Sequence, residues 1–390
     1  MTNAARILVS IPNWVGDVVM ATAALRAIRR QFAKARIVHL MRPYVADVLA
    51  GTAFCDDRAF WPLPRNEARR ARLQAPVAPP SRRCSHRRDA RATEVLGGTL
   101  GTGGLPGLIR RLRHEQFDLA ILLTNSFRSA MAARLAGARR RVGYARDARS
   151  WLLTDRLKPL RDGRQFVPVS ALDYYNELAR HVGCEDPGDR LELATLPADE
   201  TAIDERLGPS KADGPLVVLN PGANYGSAKC WPAERYAEVA NALVERHGAR
   251  VVASLVPKER EIADRLKAAV RQPIDVFVDP PLGLGPLKAL IRRCRLLITN
   301  DTGPRHFAAA FGIPVVTVFG SSDPAWTVTR FAKERIAMLD LDCQPCMERT
   351  CPLKHHRCMR ELSSALVLEK AAELLASFTS EQSTAGKPCS

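Results

Sequence analysis

Four short stretches of this chain combine residue types that can move a proton or hold an anion. In Asn13-Trp14-Val15-Gly16-Asp17 a glycine lets the backbone approach a ligand closely, and an aspartate opens the following helix. The helix dipole favours the charged carboxylate there, so Asp17 can accept a proton near neutral pH; the same residue can equally serve only as a helix cap. Between Asn220 and Pro232, Gly222 and Gly226 lie in a turn that reaches Lys229 just before a helix. A diphosphate needs that combination of backbone N–H groups and one cation, and an ordinary loop lysine has the same appearance. In Asn300-Asp301-Thr302-Gly303-Pro304-Arg305-His306, Asp301 or Thr302 can cap a helix whose first turn holds Pro304. That helix end can bind phosphate with His306 as a further donor, or simply be capped over a packed histidine. Cys343, Cys346, Cys351 and Cys358 stand beside His355 and His356. They have the inventory of a metal site without the paired spacing of a zinc ribbon, and reduced structural thiols are the alternative.

Elements that must position these stretches can be read from the apolar periodicity. Ile7–Ile11 and Arg36–Met41 read as buried parallel strands. Val18, Leu25, Ile28 and Phe32 recur at helical spacing between them, which makes a βαβ start. A helix at Leu108–Arg113 and a strand at Phe117–Leu123 continue the pattern. A second series follows: strand Leu216–Leu219, helix Ala233–His247, strand Arg250–Leu255, helix Arg260–Val270, strand Leu296–Thr299, helix 304–311 and strand Val315–Phe319. The alternation predicts an α/β chain of two doubly wound domains. Their ligands would bind in a cleft at the carboxyl ends of the strands. The first domain spans 1–200 and the second 214–362, with the polar, Pro- and Gly-containing stretch Pro197–Pro215 as the boundary. Residues 363–390 read as a terminal helix, Glu361–Phe378, and a frayed tail. Residues 65–104 break the pattern: nine arginines at 65–91 meet only Glu67 and Asp89, and glycines follow, as in a long basic loop.

Composition narrows the partners. A net charge of +17 is concentrated in residues 1–200, where 33 Lys and Arg face 20 Asp and Glu. The first half therefore suits something anionic, a membrane surface, an acidic glycolipid or nucleic acid, unless the arginines are merely solvated. No stretch approaches the ~18 consecutive apolar residues of a membrane span, and the apolar run at Ile7–Ile11 stops at Pro12, unlike a signal peptide. A cytoplasmic address follows as the expectation, in which ten cysteines form no disulfide framework.

In order and spacing these stretches resemble the lipopolysaccharide heptosyltransferases of glycosyltransferase family 9, most closely their heptosyltransferase II branch. The likeness runs from Arg6 to about Leu362. It rests on Trp14-Val15-Gly16-Asp17, Thr124-Asn125-Ser126-Phe127-Arg128-Ser129, Arg141-Val142-Gly143-Tyr144, Asn220-Pro221-Gly222-Ala223 and Ala228-Lys229-Cys230-Trp231-Pro232. Asn300-Asp301-Thr302-Gly303 with His306, and the Cys343–Met359 run, complete it. The resemblance implies a GT-B fold of two Rossmann-like domains facing a central cleft. It also implies an inverting, metal-independent transferase with no cofactor, which moves heptose from ADP-heptose to the heptosyl-Kdo-lipid A inner core. By this likeness Asp17 is the catalytic base. Lys229, Asp301, Thr302, Gly303, His306, Gly222 and Glu259 bind the donor, and Asn13, Trp14, Asn125 and Arg128 bind the acceptor. The cysteines are metal candidates at most. The enzyme would sit in the cytoplasm, peripheral to the inner membrane, with no nucleic acid partner.

The chain departs from the family pattern at four places. They are the basic 65–104 stretch, Ser254-Leu255-Val256-Pro257 where a glycine is usual, Arg305 at a commonly apolar position, and Cys230 at a commonly basic one. Two other readings share the scaffold: a family 9 transferase with another sugar or acceptor, and a non-catalytic binding protein.

Overall fold

The computed structural model describes residues 4–62, 104–209 and 214–385, with side chains as far as Ala376. The arginine-rich stretch therefore lies outside the described residues, apart from Gly104. The front half comprises β1 (Arg6–Ser10), α1 (Val15–Met20), α2 (Thr22–Gln31), β2 (Arg36–Met41), β3 (Asp57–Phe60), α3 (Gly104–His114), β4 (Leu119–Leu122), α4 (Phe127–Leu135), β5 (Arg140–Tyr144) and β6 (Asp155–Leu157). A small hairpin, β7 (Arg161–Asp162) and β8 (Gln165–Phe166), and α5 (Ala171–His181) complete it.

Next come α6 (Pro197–Leu207), β9 (Leu216–Asn220), α7 (Ala233–His247), β10 (Arg250–Ser254), α8 (Arg260–Ala269), β11 (Asp275–Phe277), α9 (Leu284–Arg293), β12 (Leu296–Asn300), α10 (Gly303–Phe311), β13 (Val315–Val318), β14 (Glu334–Ala337), α11 (Arg357–Arg360) and α12 (Ser364–Ala385).

Each half builds a six-stranded, wholly parallel sheet, and the strand order is the same in both: β3-β2-β1-β4-β5-β6 and β11-β10-β9-β12-β13-β14. Register follows from apolar runs buried on both faces. Ile7 pairs with Ile37 and Leu119, and Val218 pairs with Val252 and Leu297. In each sheet the order reverses between the first and fourth strands, at β1/β4 and at β9/β12, which opens a crevice at their carboxyl ends. This is the doubly wound pair that the alternation predicts.

Helices cover both faces of each sheet. The contact joining the halves matters most here. Ile28, Leu172 and Leu178 of the front half belong to the same buried cluster as Leu290, Phe307 and Val218 of the rear half. The two lobes thus share a continuous apolar contact through α1, α2, α5, α9 and α10.

Two local details go beyond the sequence reading. The helical spacing from Val18 to Phe32 is realised as two helices that meet at Ala21, where the Thr22 hydroxyl donates to the Val19 carbonyl (2.6 Å). The polar stretch taken as the domain boundary carries α6. Proline at its first turn and Asp199 and Glu200 beside it favour a helix start, and Ile203 anchors it in the shared core. Arg292 and Arg293 of α9 then hold α6 through Glu200, at 3.0 and 2.6 Å. Residues 210–213 of that stretch lie outside the description.

A buried lysine fastens the lobes. Lys288 of α9 is fully enclosed and donates to Val48 O (3.2 Å) and Ala50 O (3.2 Å) of the front lobe and to Ala194 O (2.7 Å) of the crossover. Burial above all, partly offset by Asp199 and Asp47, lowers its pKa to about 8. Replacing Lys288 with Ala leaves three carbonyls without a donor and a cavity, so urea unfolding should show a loss of about 2–4 kcal/mol. Between pH 8 and the ordinary lysine range the unfolded chain holds a proton that the folded chain releases. Over that range the native chain should therefore gain stability relative to the variant as pH rises.

Candidate active site

Three of the four stretches singled out by residue type, all but the cysteine run, follow the carboxyl ends of strands. The loop after β1 leads to Asp17, that after β9 to Lys229, and that after β12 to Asp301; the Thr124–Ser126 turn follows β4. What joins the lobes at this point is the absence of two side chains. A Cβ on Gly16 would lie 2.8 Å from His306 Cδ2, and a Cβ on Gly303 would lie 2.7 Å from Val15 Cγ1. Only glycine lets the first turns of α1 and α10 come this close. Asp17 is in the first turn of α1, but the N-cap is Trp14, so its carboxyl is not a cap and stays free for other work.

On the rear side a chain of buried charges is assembled. Lys229 Nζ is ion-paired with Asp301 Oδ2 and lies 4.7 Å from the Tyr225 ring centre. Asp301 Oδ1 accepts from Arg305 Nη1 (2.9 Å), and Oδ2 also accepts from the Ser322 hydroxyl (2.7 Å). Arg305, with a side chain 1% exposed, reaches on to Glu334 (3.0 Å) and to the Thr327 hydroxyl (2.9 Å). Glu334 in turn accepts from Thr317 Oγ1 at 2.7 Å. Burial opposes ionisation of Asp301. Arg305 first, then Lys229 and the Ser322 hydroxyl, outweigh it and hold the carboxyl well below the usual carboxylate range.

Several site expectations are revised by this network. Neither Asp301 nor Thr302 caps α10. Asp301 is committed to its cations, and the Thr302 hydroxyl bonds Thr299 Oγ1 (3.1 Å) and Asn220 Nδ2 (3.3 Å) instead. His306 is buried under Gly16, with no partner for Nδ1. Burial, and then the nearby Arg305 charge, lower its pKa to about 3, so it is a neutral ring packed at the seam. Arg305, which sequence placed at a commonly apolar position, is the centre of the ion network. The signal was present: an aspartate just before the helix N-cap and an arginine four residues on, in the first turn, are within reach of each other.

The loop after β9 is pinned from below by Asn300. Its Nδ2 donates to Pro221 O (2.7 Å), and its Oδ1 accepts from Tyr236 OH (3.0 Å) and Trp231 N (3.3 Å). Gly222 is pressed against the Glu259 carboxylate, whose Oε2 accepts from Val256 N at 3.1 Å. The Ser254–Pro257 departure therefore still delivers Glu259 to the edge of this loop. Cys230 points back to Gly226 O (3.7 Å), away from Lys229's partners.

Asp17 faces that network. It is partly buried, and burial first, then the Asp301 charge, push its pKa up to about 6 against the pull of Lys229. It is ionised at neutral pH and still basic enough to take a proton.

The front-lobe candidates stand around the same opening. Asn13 turns its carbonyl to Tyr44 OH, and Trp14 is half exposed. Asn125 Oδ1 accepts from Tyr174 OH (2.9 Å) and from Arg149 Nη2 (3.2 Å). Arg149 is fully buried and bonds only carbonyl oxygens, those of Thr124, Tyr144 and Asn125. Burial lowers its pKa to about 10. Nothing in the sequence marked it. Arg128 lies 4.6 Å over the Trp61 ring.

Cys358 is buried and Cys343, Cys346 and Cys351 are half-buried. Cys351 Sγ accepts from His356 N (3.4 Å). Among the described residues no three His, Cys, Asp or Glu side chains come together as a metal site would require.

Comparison with known proteins agrees with this geometry. The profile of glycosyltransferase family 9 (heptosyltransferase) matches residues 107–357. Lipopolysaccharide heptosyltransferase 2 of Escherichia coli K12 is 26% identical over 95% of this chain and 98% of its own. Lipooligosaccharide heptosyltransferase 2 of Campylobacter jejuni is 35% identical over 41% of this chain, and the matched segment spans about half (51%) of that relative's length. The solved E. coli ADP-heptose LPS heptosyltransferase II superposes with a TM-score of 0.69 at 23% identity, covering 96% of this chain and 99% of that one. The paired sheets are thus of the GT-B kind, and with its profile match across more than half its length this chain belongs to glycosyltransferase family 9.

Proposed function

We propose that this protein transfers heptose from ADP-heptose to the inner core of lipopolysaccharide, with inversion at the anomeric carbon, on the cytoplasmic side of the inner membrane. What supports the reading is the apposition of Asp17, across the Gly16–Gly303 seam, to the Lys229–Asp301 pair. A base and an anion-directed cation then flank one opening. The names of the relatives supply the sugar and the lipid-linked acceptor. In keeping with a peripheral location, no described helix is long and apolar enough to cross a membrane.

In this mechanism the acceptor hydroxyl gives its proton to Asp17 as its oxygen attacks the anomeric carbon. The bond to the ADP oxygen breaks, and both bonding electrons leave with the diphosphate. Lys229 turns from Asp301 to that diphosphate and offsets the charge that grows on it. Arg305 remains with Asp301, so the aspartate stays ionised after its first partner has moved. Gly222 and Glu259 border the donor loop, and Thr302, Gly303 and the neutral His306 shape its floor. Asn13, Trp14, Asn125 and Arg128 receive the acceptor.

The assay is incubation with ADP-heptose and a core-truncated lipopolysaccharide, followed by mass spectrometry of the lipid; no mass increase with any nucleotide sugar would reduce the protein to a binding role. Asp17→Asn should keep ADP binding while turnover falls by about two orders of magnitude or more. The native enzyme's kcat/KM should rise with pH through about 6, the value at which Asp17 loses its proton, and level off above it. For Arg305→Met, Asp301 is left with Lys229, and Glu334 loses its ion pair with Arg305. Stability should fall by about 3–5 kcal/mol in urea, and ADP should bind more weakly by calorimetry because Lys229 is held more firmly.

A further inference from the structure

The outer face of α4 carries apolar groups where a soluble surface would carry polar ones. Phe127, Met131, Arg134 and Leu135 recur at i, i+4, i+7 and i+8, so they share one side of the helix. The opposite side, Ala130 and Ala133, is buried against Leu112 and Leu152. Phe127 is 42% exposed, Leu135 49%, and the neighbouring Trp151 55%. The Phe127 and Trp151 rings meet at 6.1 Å, and the Arg134 guanidinium lies 5.7 Å over the Trp151 ring. Among the described residues Arg134 has no carboxylate partner. Residues 104–166 hold 14 Lys and Arg against 5 Asp and Glu.

From this we infer that α4 and Trp151 form a docking face for an anionic lipid surface. Aromatic rings with an apolar body suit the depth of the headgroups, and arginine beside them suits phosphate. A nucleic acid would use the charge and could stack on the rings, but it would leave the aliphatic groups Leu135 and Met131 without a partner. The face also begins where the acceptor side of the crevice ends. Asn125 and Phe127 are separated only by Ser126, whose hydroxyl accepts from Ser129 N and caps α4. A protein seated on the bilayer through Phe127 and Trp151 therefore presents Asn125 and Arg128 at the membrane. The inference rests on the lipid-linked acceptor proposed above and names the surface that reaches it.

The test uses the full chain with vesicles of phosphatidylethanolamine alone or mixed with phosphatidylglycerol. The native protein should sediment with the mixed vesicles and be released by salt. The double variant Phe127→Ser/Trp151→Ser should bind them about tenfold more weakly, and Arg134→Ala should lose part of the salt-sensitive component. Both variants should keep native ADP affinity and native transfer to a deacylated, water-soluble acceptor. Equal sedimentation of native and double-variant protein would overturn the docking face, as would a native protein that ignores both vesicle types. A variant that instead changes oligomeric state on gel filtration would reassign the face to contact between copies. Failure of transfer to the soluble acceptor by the native protein would count against the catalytic reading and leave vesicle binding to be judged by itself.

Discussion

The first turns of α1 and α10 meet where Gly16 and Gly303 have no side chains, and this contact sets everything else at the site. With a methyl group at either position the backbones would part. Asp17 would then feel Asp301 less, and part of the burial that raises its pKa would be relieved. The shared apolar cluster beneath, from Ile28 and Leu178 to Leu290 and Phe307, supplies the broad adhesion between lobes. It is non-directional, and many registers of two greasy surfaces are compatible with it. The glycine contact and the Lys288 tether select one of them, because a clash and three carbonyl hydrogen bonds depend steeply on position.

Charge is arranged with the same economy. Asp301, Lys229, Arg305 and Glu334 occupy space from which water is nearly excluded, where an unpaired ion is costly. Two acids and two bases, alternating, make the group tolerable. Asp17 stands just outside, with no ion pair among the described residues, and titrates near neutrality. His306 completes the arrangement by staying uncharged beside the seam.

Much of the scaffold was legible in advance because its signals are local. β2 is Arg36–Met41 and α7 is Ala233–His247, at the limits that apolar runs and helical spacing mark. Both sheets obey the rule that βα alternation gives parallel strands, and so the loops carrying Asp17, Lys229 and Asp301 fall at carboxyl ends. The misses share a cause. Arg305, Arg149 and Lys288 are cations inside the protein, and residue type alone assigns cations to the surface; their partners are 4 to 240 positions away in the chain. The α6 helix was obscured because its surface is polar almost all round, with Ile203 as its one deeply buried residue. The burial of His306 was hidden for a related reason: spacing places a side chain on a helix turn and says nothing of what the other lobe lays over it.

The pairing of Lys229 with Asp301 gives the empty protein a threshold. An ammonium group left loose in a crevice would collect any small anion in the cell, chloride and orthophosphate included. Here an incoming anion must compete with a carboxylate already in contact, one that Arg305 and Ser322 hold fully ionised. A singly charged ion gains little by that exchange. A diphosphate, with several negative charges and many acceptor oxygens, can complete it, so discrimination between nucleotide carriers and bulk salt begins before any sugar or base is inspected.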